Sequence, residues 1–243
     1  MRYPLALLAC AALLAGCANQ PKDPSGVWIN QAAIDAAAEG QSLREALMAY
    51  GPNLEWQIDG QRGTASYSNG FELGEGQLVL DDGKRWRVDF YGDYHEYLRL
   101  KGGELLQEGS EVWPEQRFAR AEPRAGGTPP GSRFETALYA AYLGGDWLIR
   151  EGQGKGGLVR FHADGRLEGL PGADRYALCL AGDCASMSGE NDALWLQLGE
   201  QGREWLFRRD GDTLEILEAR NRAQFDEMPD YHPGARAWLL ERD

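Results

Sequence analysis

The sequence predicts a mainly β protein with short helices, built as two related helix-plus-antiparallel-β-meander units of barrel-like form. Three observations carry that expectation. Short segments alternate apolar and polar residues with a period of two, Asp-Gly pairs punctuate them, and two stretches of the chain match each other. A βαβ architecture does not fit, because helical segments do not alternate with the strands.

Taken in order, Val27-Trp28-Ile29 is strand-like and leads into an alanine-rich helical turn or two at residues 32–38. Ser42 with Glu45, and Ser132 with Glu135, have the spacing of capping boxes, in which hydroxyl and carboxylate each satisfy an orphan backbone donor. Behind them Leu43, Leu47 and Tyr50 share one helical face, as do Phe134, Leu138 and Tyr142, and Gly51-Pro52 and Gly144-Gly145 stop the two helices. Arg85-Trp86-Arg87-Val88-Asp89-Phe90 puts Trp86, Val88 and Phe90 on one face of a half-buried strand. Leu194 to Leu198 and Trp205-Leu206-Phe207 are strand-like with looser alternation. Asp59-Gly60, Asp82-Gly83, Asp164-Gly165 and Asp210-Gly211 are type I′ turn signals.

The internal match pairs the segment Ser42 to Tyr50 and Trp56-Gln57-Ile58 with Ser132 to Tyr142 and Trp147-Leu148-Ile149. It also pairs Glu96 to Leu105 with Glu204 to Leu214, which points to an ancient duplication. Pro/Gly composition at 121–131 marks a linker between a first unit, 26–120, and a second, 132–243.

The first residues give an address. Arg2 is a short positive region, the apolar stretch 5–14 is too short to span a bilayer stably, and Leu14-Ala15-Gly16-Cys17 follows. This tetrapeptide resembles the lipobox of bacterial lipoproteins. The resemblance implies cleavage of residues 1–16, diacylation of the Cys17 thiol with palmitate-like chains, and a tether over 17–25. Two or three acyl chains, at about 0.8 kcal/mol per buried methylene, hold durably. Ala18 stands where inner-membrane lipoproteins of enteric bacteria carry Asp, so the resemblance implies an outer-membrane anchor facing the periplasm.

Removing residues 1–16 takes away one of 25 basic residues, Arg2, and none of the 38 acidic ones, which leaves a net charge of −14. That charge repels nucleic acid and favours basic partners. Of the four cysteines, Cys10 leaves with the leader and Cys17 is lipidated, so Cys179 and Cys184 should pair in an oxidising compartment and close a hairpin tip.

From Gly145-Asp146-Trp147, through Val159 to Leu167 with its Asp164-Gly165 pair, to Arg209-Asp210-Gly211-Asp212-Thr213-Leu214, the second half resembles small bacterial lipocalin-like domains. There an early Gly-x-Trp opens a small antiparallel barrel. The first half departs from that pattern through the helix between Trp28 and Trp56. The resemblance bears on architecture more than on activity.

Catalytic motifs find little support. Gly152-Gln153-Gly154-Lys155-Gly156-Gly157 has the letters of a dinucleotide fingerprint, but a strand follows it where a helix is needed, so it reads as a hairpin turn. His95, His162 and His232 are scattered without zinc-site spacing. No metal or cofactor is expected. Trp86, Phe90, Tyr91, Tyr94 and Tyr97 form the densest aromatic cluster; they either line a cavity for an apolar or sugar-like ligand or fill a barrel wall. The acidic run 226–230 is either a basic partner's contact or a solvated loop.

The sequence thus points to a membrane-anchored, non-catalytic envelope lipoprotein acting as a ligand-binding or assembly module. The alternative is a periplasmic inhibitor or immunity protein that caps a basic enzyme such as a lysozyme or toxin. An enzyme whose site assembles only in three dimensions is the remaining reading. The expected partners are the membrane through Cys17, and a basic protein or small apolar ligand, with no nucleic acid.

Overall fold

A computed structural model describes residues 22–111, 113–123 and 128–243. Cys17, the lipobox and the centre of the linker lie outside the described residues. The first half is an up-and-down antiparallel barrel: β1 (Gly26–Ile29), two helices α1 (Gln31–Ala38) and α2 (Leu43–Ala49), then β2 (Glu55–Asp59), β3 (Thr64–Ser68), β4 (Leu73–Leu80), β5 (Trp86–Asp89), β6 (His95–Lys101), β7 (Glu104–Gln107) and β8 (Gln116–Arg120). Pairing of β1 with β8 closes it. Closure removes the edges that an open sheet would leave unpaired.

The second half starts with α3 (Ser132–Tyr142) and continues through β9 (Gly145–Glu151), β10 (Leu158–Phe161), β11 (Leu167–Glu168), β12 (Arg175–Leu178), the short helix α4 (Gly182–Ser188), β13 (Asp192–Leu198), β14 (Gln201–Asp210), β15 (Thr213–Asn221) and β16 (Tyr231–Arg242). Its eight strands run in the order β11-β10-β9-β16-β15-β14-β13-β12. An isolated bridge between Arg166 and Arg175 almost joins the ends. The protein is therefore mainly β with short helices, in two eight-stranded antiparallel barrels.

Each barrel is closed at one end by the same device. The Trp28 indole N–H donates to the Pro24 carbonyl at 2.8 Å, and the Trp147 indole N–H to the Leu143 carbonyl at 2.8 Å. Over each ring lies an arginine from the last strand: Arg120 at 4.5 Å from the Trp28 centroid, Arg242 at 4.6 Å from that of Trp147. Cation–π contacts of this kind couple the first strand to the last. Arg242 also donates to the Gly144 and Tyr142 carbonyls at the end of α3.

This equivalence corrects half of the internal match. β6–β7 and β14–β15 hold the same places in their barrels, as the second pair of segments requires. Trp56, however, is on the second strand of its barrel and Trp147 on the first, so the counterpart of Trp147 is Trp28. The helices differ as well: α1 and α2 are inserted after the first strand, whereas α3 precedes it. Both halves carry a helix followed by a Trp-bearing strand, and sequence comparison locked onto that shared order without seeing the strand count.

Three local expectations are also corrected. Ser132 does not cap α3: Gly131, with φ +87°, stands at the cap position, and the Ser132 hydroxyl donates to the Pro129 carbonyl. The helix is capped from the first barrel, where the Glu55 carboxylate accepts from the Arg133 and Phe134 N–H groups at 2.9 and 2.8 Å. Asp59-Gly60 is not a two-residue turn; Asp59 accepts from the Gln61 and Arg62 N–H groups and Gly63 supplies the positive φ of +66°. The two-residue turns are Gly102-Gly103, Gly199-Glu200 and Gly211-Asp212. Ser42 does cap α2, accepting from the Glu45 N–H at 3.2 Å.

One apolar cluster runs from Ile29, α1 and α2 through α3 and into the second barrel as far as Trp205 and Trp238. A separate cluster of Trp28, Trp56, Ile58, Val88, Leu98, Leu105 and Phe118 fills the first barrel. The helices inserted in the first half thus cover the closed end of the second. Arg209 of β14 donates to the Ala37 carbonyl at 3.1 Å, and Asp192 of β13 accepts from the Leu43 and Arg44 N–H groups at 2.9 and 2.8 Å.

Candidate functional site

Strand alternation divides the aromatic cluster that the sequence singled out. Trp86 is buried and Phe90 partly so, on the face that packs the first barrel; Phe90 meets Tyr67 edge-on at 5.4 Å and lies 6.4 Å from Trp56. Tyr94 lies 5.3 Å from Phe90 at the rim and its hydroxyl donates to the buried Glu96 carboxylate. Burial, first, and that carboxylate both push the Tyr94 phenol up. Tyr97 faces outward under the Arg85 guanidinium at 4.1 Å, and Tyr91 is fully exposed. These five residues do not converge on one cavity: the inward ones fill the wall. The adjacent end is sealed by a polar network in which Gln107 accepts from Asn53 and from the Trp56 indole, while Gln116 donates to the Tyr50 and Asn53 carbonyls.

The concave, part-apolar site is at the end of the second barrel opposite Trp147 and α3. A dish of about 430 Å³ opens there between residues 152–157, the 171–173 loop and the β13–β14 turn. β14 turns Gln201, Arg203 and Trp205 to the same face, because residues two apart share a face. β13 adds Leu196 and Leu198, and β16 adds Trp238. The two indoles pack at 5.0 Å and 56°, and the Trp238 N–H is fixed by the Gln153 carbonyl at 3.2 Å. They form a rigid floor.

Arg203 lies over Trp205, 3.8 Å from its centroid, and makes no ion pair among the described residues. Among the described residues no carboxylate lines the dish. Glu204 follows Arg203 in sequence but belongs to the opposite face of β14, and burial alone pushes its carboxyl up, toward the neutral form. The Arg203 guanidinium is thus the charged group of a lining that is otherwise apolar or neutral. The sequence reading missed these residues. The signal available was the two-residue spacing Gln201, Arg203, Trp205, but which end of the strand lay open was not visible in it.

The glycine-rich segment 152–157 is the β9–β10 hairpin loop at this mouth, as expected, and Gly154 packs against Pro171. Cys179 and Cys184 form a disulfide with Cα atoms 5.9 Å apart. It does not close a hairpin tip, because Gly182–Ser188 coils into α4 between β12 and β13. One ring nitrogen of His162, just after β10, meets Glu168 at 2.9 Å and one of His232, at the start of β16, meets Asp230 at 2.9 Å, both in exposed pairs. Among the described residues no group of three or more His, Cys, Asp or Glu side chains is placed to hold a metal ion. No described helix is long and apolar enough to cross a membrane. The acidic run 226–230 joins β15 to β16 and leaves Phe225 and Met228 exposed.

No family model, curated protein or solved structure matches this chain.

Proposed function

We propose that the protein is a lipid-anchored, non-catalytic binding module of the cell envelope whose second barrel takes, at its open end, a small ligand with an apolar body and one acidic group. The observation that carries this reading is the Arg203 guanidinium, without an acidic partner, set on the Trp205–Trp238 floor of a 430 Å³ dish. A charge-assisted hydrogen bond from a guanidinium to a carboxylate is stronger than one to a neutral group, and Arg203 is exposed to receive it. A cavity of this size is in the range of small-molecule sites, and its few polar groups fix orientation while the walls supply area. The interior beyond the floor is packed, so the ligand rests at the mouth.

Tryptophan fluorescence titrated with dodecanoate and with dodecanol tests the reading. Dodecanoate is expected to bind the more tightly. Arg203→Gln should weaken the acid about tenfold, the equivalent of about 1.4 kcal/mol, and leave the alcohol unchanged. Gln201→Trp, which fills the dish from an exposed position, should abolish both. Equal affinity for acid and alcohol in the parent protein sinks the role of Arg203.

The anchor is proposed on Leu14-Ala15-Gly16-Cys17. Metabolic labelling with an alkyne analogue of palmitate should mark the parent protein and not Cys17→Ser, and the variant should leave the membrane fraction. Labelling that survives the substitution contradicts it.

A further inference from the structure

A second concave surface lies between the two halves, far from the mouth. Two adjoining hollows of about 290 and 210 Å³ share Leu47, Met48, Leu180 and Ala181. Leu54 and Trp113 of the first half extend the apolar lining, and the segment that carries the disulfide forms the opposite wall. The groove is held open by close backbone approaches. Gly70, at φ +89°, lets its loop rest on Leu180 and Leu54, and the Phe71 ring lies against Gly182 where any side chain would collide with it.

Large apolar side chains are left uncovered around it: Met48 is 71% exposed, Phe71 57% and Trp113 49%. Clustered exposure of this kind marks an interaction surface. Charge then selects the occupant. Among the described residues the one cation lining the groove, Arg44, is committed to the Ala185 carbonyl at 3.0 Å. Exposed carboxylates neighbour the groove's residues in the chain: Glu45, one turn before Met48 on α2; Glu72, next to Phe71; Glu111, two residues before Trp113; and Asp183 and Glu190, at either end of α4. None of them is in an ion pair among the described residues, whereas Asp81, Asp89 and Asp146 elsewhere on the surface each hold an arginine. A second copy of this chain, of net charge −13, would bring like charge to these carboxylates.

We propose that this groove binds a cationic amphipathic segment of a protein partner, its apolar side chains on Met48, Leu180 and Trp113 and its basic ones on these unpaired carboxylates. The pattern is that of an amphipathic helix laid in an apolar groove. Complementary charges speed encounter and set the salt dependence, and the apolar floor sets the dwell time.

The test uses a fluorescent leucine/lysine peptide patterned as an amphipathic helix, with leucine/glutamate and serine/lysine analogues, read by anisotropy on the full chain. The leucine/lysine peptide should bind. Its affinity should fall at least about tenfold as salt rises through the range that screens surface charge, and by a similar factor in Met48→Lys and in the double variant Glu72→Lys/Asp183→Lys. Both changes are at exposed positions, and circular dichroism checks that they fold. Arg203→Gln at the barrel mouth should leave peptide binding unchanged, which separates this surface from the ligand site. Binding of the glutamate or serine analogue equal to that of the leucine/lysine peptide, insensitivity to both groove variants, or no binding at low salt overturns the proposal.

Discussion

Glu55 and Asp192 are buried carboxylates, each held by the backbone of a helix from the other half. Glu55 spends both oxygens, one on the α3 N–H groups and one on the Gln57 amide at 2.9 Å. Its charge and, before it, burial push the neighbouring Glu135 carboxyl up. At Asp192 burial wins over the two N–H donors, and its carboxyl is raised above the ordinary value. For an acid whose folded value is raised, the folded state holds the extra proton, so this group's contribution is full below the unfolded value of about 3.9 and is lost as pH rises through the folded one. Asp192→Asn has no such titration. Urea unfolding of both proteins should therefore show the parent gaining on the variant as pH falls from neutrality toward 4. A constant difference, or one of opposite slope, would show that the backbone donors dominate instead.

The elements differ in how much of them the sequence disclosed. The strand Trp86–Asp89 was legible because its alternation is strict and one face meets the core. Residues 32–38 were legible as helical from alanine content, and Asn30, which accepts from the Ala33 N–H, supplies the start. What caps α3 was not legible. The acceptor is Glu55, almost eighty residues upstream, and no local pattern signals it. Helices of seven to eleven residues are marginal in isolation, so α1 to α4 owe their form to burial and to such distant partners. α4 escaped notice for a related reason: Cys179 and Cys184 gave the disulfide correctly, but a five-residue separation fits a tight turn and a helical start equally well. At the barrel mouth, residue types were visible in the sequence and convergence was not, since Gln153, Pro171, Arg203 and Trp238 meet only through the closure of the strands.

Two barrels in one chain suggest two independent bodies, yet the apolar cluster crosses from α1 and α2 into the second barrel without a break. Separating the halves at the 121–131 segment would expose Ala33, Ile34, Leu43 and Leu47 on one piece and the α3 surface on the other. Urea unfolding followed by far-UV circular dichroism and by tryptophan fluorescence should accordingly give coincident, single transitions. Two separated transitions would assign each barrel its own stability. The crossed caps also impose an order in time. Glu55 exists before α3 is made, but α2 must wait for Asp192, 149 residues beyond Leu43. At 5–20 residues per second that interval is roughly 7–30 s. Once residue 120 is made β1 to β8 can close, while the helices inserted among them keep part of their apolar face bare until the second barrel follows. The early half of the chain is thus its vulnerable half, and shielding during biogenesis matters most for a pair of helices whose roof belongs to the half that arrives second.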